Sequence, residues 1–124
     1  MSLVEIHARL ASTALLFSAL MALWGFWRFF RRQGVGSSYW GAAVVAVILL
    51  LAQGVLGIVL WFAGAGSHRP GYVHWLYGAA LALAIPLVYS YTKGRQERPE
   101  MLLYAVAFLI MVGLVLRAMV TGGG

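Results

Sequence analysis

Four long apolar stretches, separated by short polar turns, limit what this chain can fold into. They cover residues 10–30, 40–63, 72–91 and 101–120. Each has about the 20 residues that an α-helix needs to cross a hydrocarbon core of about 30 Å. Because 63% of the 124 residues are hydrophobic and only 10% are charged, too few polar residues remain for the surface of a soluble domain. The sequence therefore predicts an all-α membrane protein, a single antiparallel four-helix transmembrane bundle over residues 1–124 with helices near 3–31, 39–64, 72–92 and 100–120.

The basic residues predict how the bundle is oriented in the membrane. Six of the nine Arg and Lys residues lie in or beside the first and third turns, and three lie on the opposite side. The positive-inside rule then places loops 31–38 and 93–100 in the cytoplasm and both termini outside. We expect the plasma (inner) membrane of a prokaryote. The net charge of +6 is spread over helix ends, which favours a topology signal over nucleic-acid binding, so we expect the lipid bilayer and no nucleic acid as a partner.

Aromatic residues cluster near the ends of the apolar stretches, as interfacial belts do. We interpret most of the following as membrane anchors: Trp24, Trp27, Tyr39, Trp40, Trp61, Tyr72, Trp75, Tyr89 and Tyr91. Pro86 lies inside the third stretch and predicts a slight bend, because neighbouring helices can satisfy the carbonyl that proline frees. The sequence contains no cysteine, so thiolate metal sites and disulfides are excluded.

Two histidines lie just inside the same membrane edge of two different helices. His7 precedes the first apolar stretch, and His74 follows the start of the third. The first and third helices of an up-down bundle are parallel diagonal neighbours, so both side chains can face one central cavity. A lone imidazole is costly in a bilayer, whereas two facing imidazoles can ligate a haem iron from both sides. We predict one haem b, with His7 and His74 as its iron ligands; without a third ligand or a carboxylate cluster, zinc and copper are disfavoured.

Small and polar residues near the two histidines are candidates for further cofactor contacts. Gly78 lies one turn from His74 and leaves room for a porphyrin, although close helix packing explains a glycine equally well. Gln53, in the outer half of the second helix, either hydrogen-bonds the macrocycle or bridges two helices. Arg9 and Arg117 lie at about the depth of the histidines, where they either pair with haem propionates or snorkel to the interface.

Two further residues have competing interpretations. His68, in the second turn, is a rival ligand, although an ordinary solvent-exposed histidine is the simpler interpretation. Glu5 is the only catalytic candidate, a carboxylate that could handle protons near His7. Ser2 and Glu5 also match a capping box that opens the first helix. Because residues two apart project to opposite sides of a helix, we favour the cap.

Three short segments resemble the haem A synthase family. Residues 5–11 (Glu-Ile-His-Ala-Arg-Leu-Ala) are similar to the Glu-x-x-His-Arg opening of a haem-binding helix in that family. Residues 53–58 (Gln-Gly-Val-Leu-Gly-Ile) resemble its Gln-x-x-Leu-Gly motif. Residues 73–79 (Val-His-Trp-Leu-Tyr-Gly-Ala) resemble the histidine-bearing start of the third helix in each half of those enzymes.

The resemblance implies a half-length relative. Typical members have eight helices in two similar halves, each with a histidine pair on its outer side, and this chain resembles one half from about residue 5 to 90. A homodimer, or a subunit of a larger membrane complex, is implied, with His7 and His74 as the pair. Glu5 stands two residues before His7 instead of three, Arg9 is displaced from the position next to the histidine, and the paired cysteines of some members are absent. These departures favour haem binding over oxidation of a haem methyl group.

Three functions are compatible with these features. The leading hypothesis is a bis-histidine haem b protein, a b-type cytochrome that acts in electron transfer. The first alternative is a half-sized haem A synthase that oxidises haem O to haem A as a homodimer. The second is a haem-free structural subunit of a respiratory or photosynthetic complex.

Overall fold

The computed structural model describes residues 2–63 and 71–122, and these form four α-helices. Helix α1 spans Leu3–Phe30, α2 spans Gly36–Ala63, α3 spans Tyr72–Thr92 and α4 spans Arg98–Gly122. All four are long and apolar enough to cross a membrane. The predicted all-α four-helix architecture is confirmed, and the chain has the build of a multi-pass membrane protein in a lipid bilayer.

Local capping explains where the helices begin. The Ser2 hydroxyl accepts a hydrogen bond from the Glu5 backbone N–H at 3.1 Å, so Ser2 caps α1 as predicted. Helix α4 begins two residues earlier than predicted, because the Glu100 carboxylate accepts a hydrogen bond from the Glu97 N–H at 3.2 Å. This contact satisfies a donor that would otherwise lack a partner at the helix start. Helix α2 begins at Gly36, which adopts a positive φ of 73° and closes the preceding turn.

The four helices form a ring in which each contacts its two neighbours. Helix α1 packs against α2 and α4, and α3 packs against the same two helices. In the described part of the chain, no Cα of α1 lies within 8 Å of a Cα of α3. Helices α1 and α3 are therefore diagonal across the bundle, as expected for up-down topology.

The bundle is packed tightly toward one end, which we call the loop end because the turns 31–35 and 93–97 form it. The largest fully buried side chains lie between this end and the middle of the bundle: Tyr39, Tyr104, Phe108, Met101, Met111, Val35 and Thr92. A Cβ at Gly25 would lie 2.8 Å from Ala105 Cβ and from the Tyr39 hydroxyl. Only glycine allows α1 and α4 to approach this closely.

Hydrogen bonds across the chain hold the loop end together. The Val35 N–H donates to the Gln96 carbonyl at 2.9 Å, which joins the two turns. Arg98 Nε donates to the Phe29 carbonyl at 2.9 Å, and its guanidinium lies 4.1 Å from the centre of the Phe29 ring. The Tyr39 hydroxyl donates to a carbonyl of α1 at 2.8 Å and is fully buried. The interpretation of Tyr39 as an interfacial anchor is therefore wrong, since it bridges α1 and α2.

The opposite end of the bundle, which we call the histidine end, lacks a packed core. Helices α1 and α3 begin there, and α2 and α4 end there. No residue is buried among residues 2–13, 51–63, 71–80 and 116–121. The side chains that the helices turn inward at this end are only half-buried, so this end is less tightly packed than the loop end.

Candidate functional site

Half-buried residues at helical spacing mark the inner faces of the helices at the histidine end. They include His7, Leu10 and Ala11 of α1, Gln53, Leu56, Gly57 and Leu60 of α2, His74 and Tyr77 of α3, and Ala118 and Thr121 of α4. Residues three or four apart share one face of a helix. Both histidines and Gln53 therefore lie on faces that turn toward the interior of the bundle.

Helix α4 fixes the tautomer of His74. The His74 Nδ1 lies 2.9 Å from the Ala118 carbonyl oxygen and 3.3 Å from the Thr121 hydroxyl oxygen. A carbonyl oxygen can only accept a hydrogen bond, so Nδ1 must carry the proton. The Thr121 hydroxyl directs its own proton to backbone carbonyls of α4 at 3.0 and 3.2 Å. The Nε2 atom of a neutral His74 consequently keeps a free lone pair, which is the form that binds metals.

Helix α2 holds His7. The Gln53 side-chain amide donates from Nε2 to the His7 backbone carbonyl at 2.7 Å. One turn further along α2, Gly57 leaves space for the imidazole, since a Cβ there would lie 3.5 Å from His7 Cε1. The imidazole therefore rests against α2 between Gln53 and Gly57.

Two polar atoms at this contact have unsatisfied hydrogen-bonding capacity. His7 Nδ1 and Gln53 Oε1 are buried and have no hydrogen-bond partner in residues 2–63 and 71–122. A small rotation would let Gln53 Oε1 accept a hydrogen bond from His7 Nδ1–H, because one atom can donate and the other accepts. His7 would then present Nε2, as His74 does.

The two imidazoles face the interior of the bundle from diagonal helices. Both rings belong to the inward-facing residues at the histidine end, while no Cα of α1 lies within 8 Å of a Cα of α3. Trp61 and Trp75 meet edge to face at 5.6 Å between α2 and α3. The interior that both rings face is therefore bounded by helices.

The donor set at the histidine end fits a particular kind of metal cofactor. Within the described ranges no three His, Cys, Asp or Glu residues form a group that could hold a metal ion. Two neutral imidazoles alone do not complete the coordination of a free zinc or copper ion. They suit a metal that brings its other ligands with it, as haem iron does in its macrocycle.

The other predicted site residues lie outside these inner faces. Arg9, Arg117 and Glu5 are exposed, and their side chains form no ion pair with any described residue. Gly78 is exposed as well, and a Cβ there would meet no described atom within 4 Å. His68 and its neighbour Arg69 lie outside the described residues. The structure thus brings His7 and Gln53 into contact and turns His74 toward the same interior.

Sequence reasoning missed three contacts of this site, at Gly57, Ala118 and Thr121. Gly57 belongs to the segment that resembles haem A synthases, but the sequence alone does not indicate that it contacts a histidine. The antiparallel topology places the end of α4 beside the start of α3. An antiparallel arrangement of α3 and α4 therefore predicts that Thr121 is a neighbour of His74.

Comparisons of the chain with protein-family models, with curated proteins and with solved structures give no significant match. Function must therefore be inferred from the residues of the site.

Proposed function

We propose that this chain is a b-type membrane cytochrome, in which His7 and His74 hold one haem b at the histidine end for electron transfer. The observation that carries the proposal is the pair of inward-facing imidazoles in the part of the bundle where no residue is buried. The Nδ1 proton of His74 is already committed to the Ala118 carbonyl, which leaves Nε2 for iron. A bound haem supplies a one-electron iron couple.

The residues around the histidines orient and tune them. A backbone carbonyl that accepts from Nδ1–H fixes the orientation of an imidazole and makes the opposite nitrogen a better ligand. Ala118 does this for His74 at 2.9 Å. The unpartnered Oε1 of Gln53 is placed to do the same for His7.

Exposed cations near the histidine end support a role in binding the anionic haem propionates. Arg117 precedes Ala118 on the helix that contacts His74, whereas Arg9, two residues after His7, projects from the opposite side of α1 and would have to reach a propionate around the helix end. Both guanidinium groups are free of ion pairs with described residues.

The location of the chain and its assembly with other chains follow from the same features. We place the chain in the plasma membrane of a prokaryote, with both termini outside and loops 31–38 and 93–100 cytoplasmic. The exposed cations at the loop end, among them Arg31, Arg32 and Lys93, support this orientation. A homodimer or a larger membrane complex would supply the second half that the resemblance to haem A synthases implies.

Spectroscopy of the purified protein tests the haem assignment. The protein is produced in haem-replete cells, and its reduced-minus-oxidised spectrum is recorded together with pyridine extraction of the haem. We expect one haem b per chain with a bis-imidazole spectrum. His7→Ala and His74→Ala should abolish this spectrum, whereas His68→Ala, the matched control, should retain it.

Three results would contradict the proposal. Wild-type protein free of haem, isolated as part of a stable complex, would favour a structural subunit. Formation of haem A from supplied haem O would favour the synthase alternative. Loss of the spectrum in His68→Ala with retention in His74→Ala would move the ligand to the second turn. Circular dichroism of each variant checks that the four helices are still formed.

A further inference from the structure

A groove between α2 and α3, near the loop end, is separate from the histidines. It has a volume of about 320 Å³ and opens to the surroundings of the bundle. This size is at the lower end of the range of ligand pockets, about 300–1,000 Å³. The wall toward the middle of the bundle is apolar, with Val47 and Ile48 on α2 and Ile85 and Pro86 on α3. In a bilayer this groove faces the acyl chains.

Polar donors line the same groove closer to the loop end. Trp40 of α2 and Tyr89 of α3 stack with ring centres 5.2 Å apart, and Ser90 lies beside them. The Trp40 indole N–H and the hydroxyls of Tyr89 and Ser90 donate no hydrogen bond to any described residue. Donors in an apolar groove are stabilised by an acceptor that enters it.

A cation lies beyond these donors. Lys93 follows Tyr89 by one turn and ends α3 in a left-handed conformation with φ of 53°. Its side chain is exposed and forms no ion pair in the part of the chain that the structure describes. From the middle of the bundle outward, the groove therefore presents apolar side chains and then neutral donors, and the chain carries a positive charge one turn beyond Tyr89.

We propose that this groove binds one anionic glycerophospholipid. The order of its chemistry matches that of the lipid, which has an acyl chain, then ester carbonyls, then a phosphate. The acyl chain packs against Ile48, Ile85 and Pro86, and the ester carbonyls accept from the indole and the two hydroxyls. Lys93 attracts the negatively charged headgroup. This site is independent of the haem proposal.

Native mass spectrometry of the full chain in detergent tests the headgroup preference. The protein is titrated with phosphatidylglycerol and, separately, with the zwitterionic phosphatidylcholine. We expect one phosphatidylglycerol per chain to bind more tightly than phosphatidylcholine. Lys93→Gln should weaken phosphatidylglycerol about five-fold, the effect of one lysine near a lipid surface, and leave phosphatidylcholine unchanged. Arg32→Gln is the matched control, since Arg32 is also an exposed cation with positive φ at the loop end but follows α1, which contributes no residue to the groove.

Filling the groove with a larger side chain tests whether the lipid binds there. Val44 lines the groove, whereas its neighbour Val45 is exposed and does not. Val44→Trp should abolish the binding of both lipids, and Val45→Trp should leave it intact. Circular dichroism shows whether each variant keeps its helices.

Three outcomes would overturn the lipid site. Equal weakening by Lys93→Gln and Arg32→Gln would mean that the lipid responds to diffuse surface charge. Unchanged binding in a folded Val44→Trp would place the lipid elsewhere. Displacement of the lipid from the wild type by a quinone at equal concentration would identify a quinone as the occupant.

Discussion

The two histidines of the candidate site differ in how their Nδ1 atoms are satisfied. His74 Nδ1 donates to the Ala118 carbonyl at 2.9 Å, which is a well-formed hydrogen bond. His7 Nδ1 is buried and unpartnered among the described residues, as is the nearby Gln53 Oε1. An unsatisfied buried polar group is destabilising, so the His7 side of the site gains most from a rotation of Gln53 that pairs these two atoms.

Replacement of Gln53 should weaken haem binding strongly and change the stability of the apo-protein little. Gln53→Leu removes one hydrogen bond, worth about 0.6 kcal/mol in a membrane protein, and also removes a buried unpaired oxygen. We expect the free energy of unfolding of the apo-protein, measured by titration with sodium dodecyl sulfate, to change by less than about 1 kcal/mol. Haem affinity should fall about 10- to 100-fold, the usual effect of losing the partner of a ligating histidine.

Thr121→Val is the matched control for Gln53→Leu, because Thr121 contacts the other histidine, His74. The Thr121 hydroxyl lies 3.3 Å from His74 Nδ1, farther than the Ala118 carbonyl. Because the carbonyl keeps its hydrogen bond in the variant, haem affinity should change less than in Gln53→Leu. Equal losses of affinity in the two variants would contradict the positioning role of Gln53.

At the residue scale the sequence predicts which helices carry the histidines but not what contacts them. Diagonal placement of α1 and α3, with both rings turned inward, follows from topology and spacing. The contact of His74 with Ala118 joins residues 44 positions apart and depends on the rotation and height of α4. Helices that are apolar on every side do not encode that rotation in their hydrophobic pattern.

At the scale of helices, the most extensive contact joins α1 and α4. Gly25 lies within this contact, where a Cβ would lie 2.8 Å from Ala105 Cβ. Small residues allow membrane helices to approach closely and to gain van der Waals contact. The stability of this pair therefore depends on the absence of one side chain.

Gly25→Ala should destabilise the bundle although alanine is the better helix former. Alanine gains about 1 kcal/mol of helix propensity, while overpacking costs about 1–3 kcal/mol, so we expect a net loss of up to about 2 kcal/mol in the free energy of unfolding. Gly41→Ala is the control, because a Cβ at Gly41 would meet nothing within 4 Å. It should be neutral or stabilising by up to about 1 kcal/mol. A stabilising Gly25→Ala in the same detergent titration would refute the close approach.

The helix limits show how much local sequence predicts. Helices α1 and α3 begin where the sequence indicates, at Leu3 and Tyr72. Helices α2 and α4 begin earlier, because polar residues that resemble a turn in the sequence serve as the first helical turn. In α4 the Glu100 carboxylate satisfies the Glu97 N–H, so Arg98 and Pro99 are helical.

At the scale of the whole molecule, the two ends of the bundle differ in packing. The loop end has fully buried aromatic and methionine side chains and hydrogen bonds between its turns. The histidine end has no buried residue in the described ranges. Local opening is easiest where few apolar contacts are buried, so the histidine end should be the more dynamic half.

Hydrogen exchange should detect this difference in the apo-protein. Backbone amides of residues 3–13 and 72–80 should exchange faster than those around Tyr39 and Tyr104. Haem at about 100 times its dissociation constant should slow exchange at the histidine end by up to about 100-fold and leave the loop end unchanged. Peptide-resolved mass spectrometry in detergent measures both. Equal protection of the two ends in the apo-protein would contradict the packing gradient.

The contact between α1 and α4 also has a consequence for biogenesis. The ribosome synthesises α1 before α4, so the helix that covers Gly25 reaches the membrane only after α1, α2 and α3 have been inserted. Until then, the face of α1 that carries Gly25 is exposed to lipid or to the insertion machinery. The ring of helices, and with it the pairing of α3 with the end of α4, closes only when α4 has been inserted.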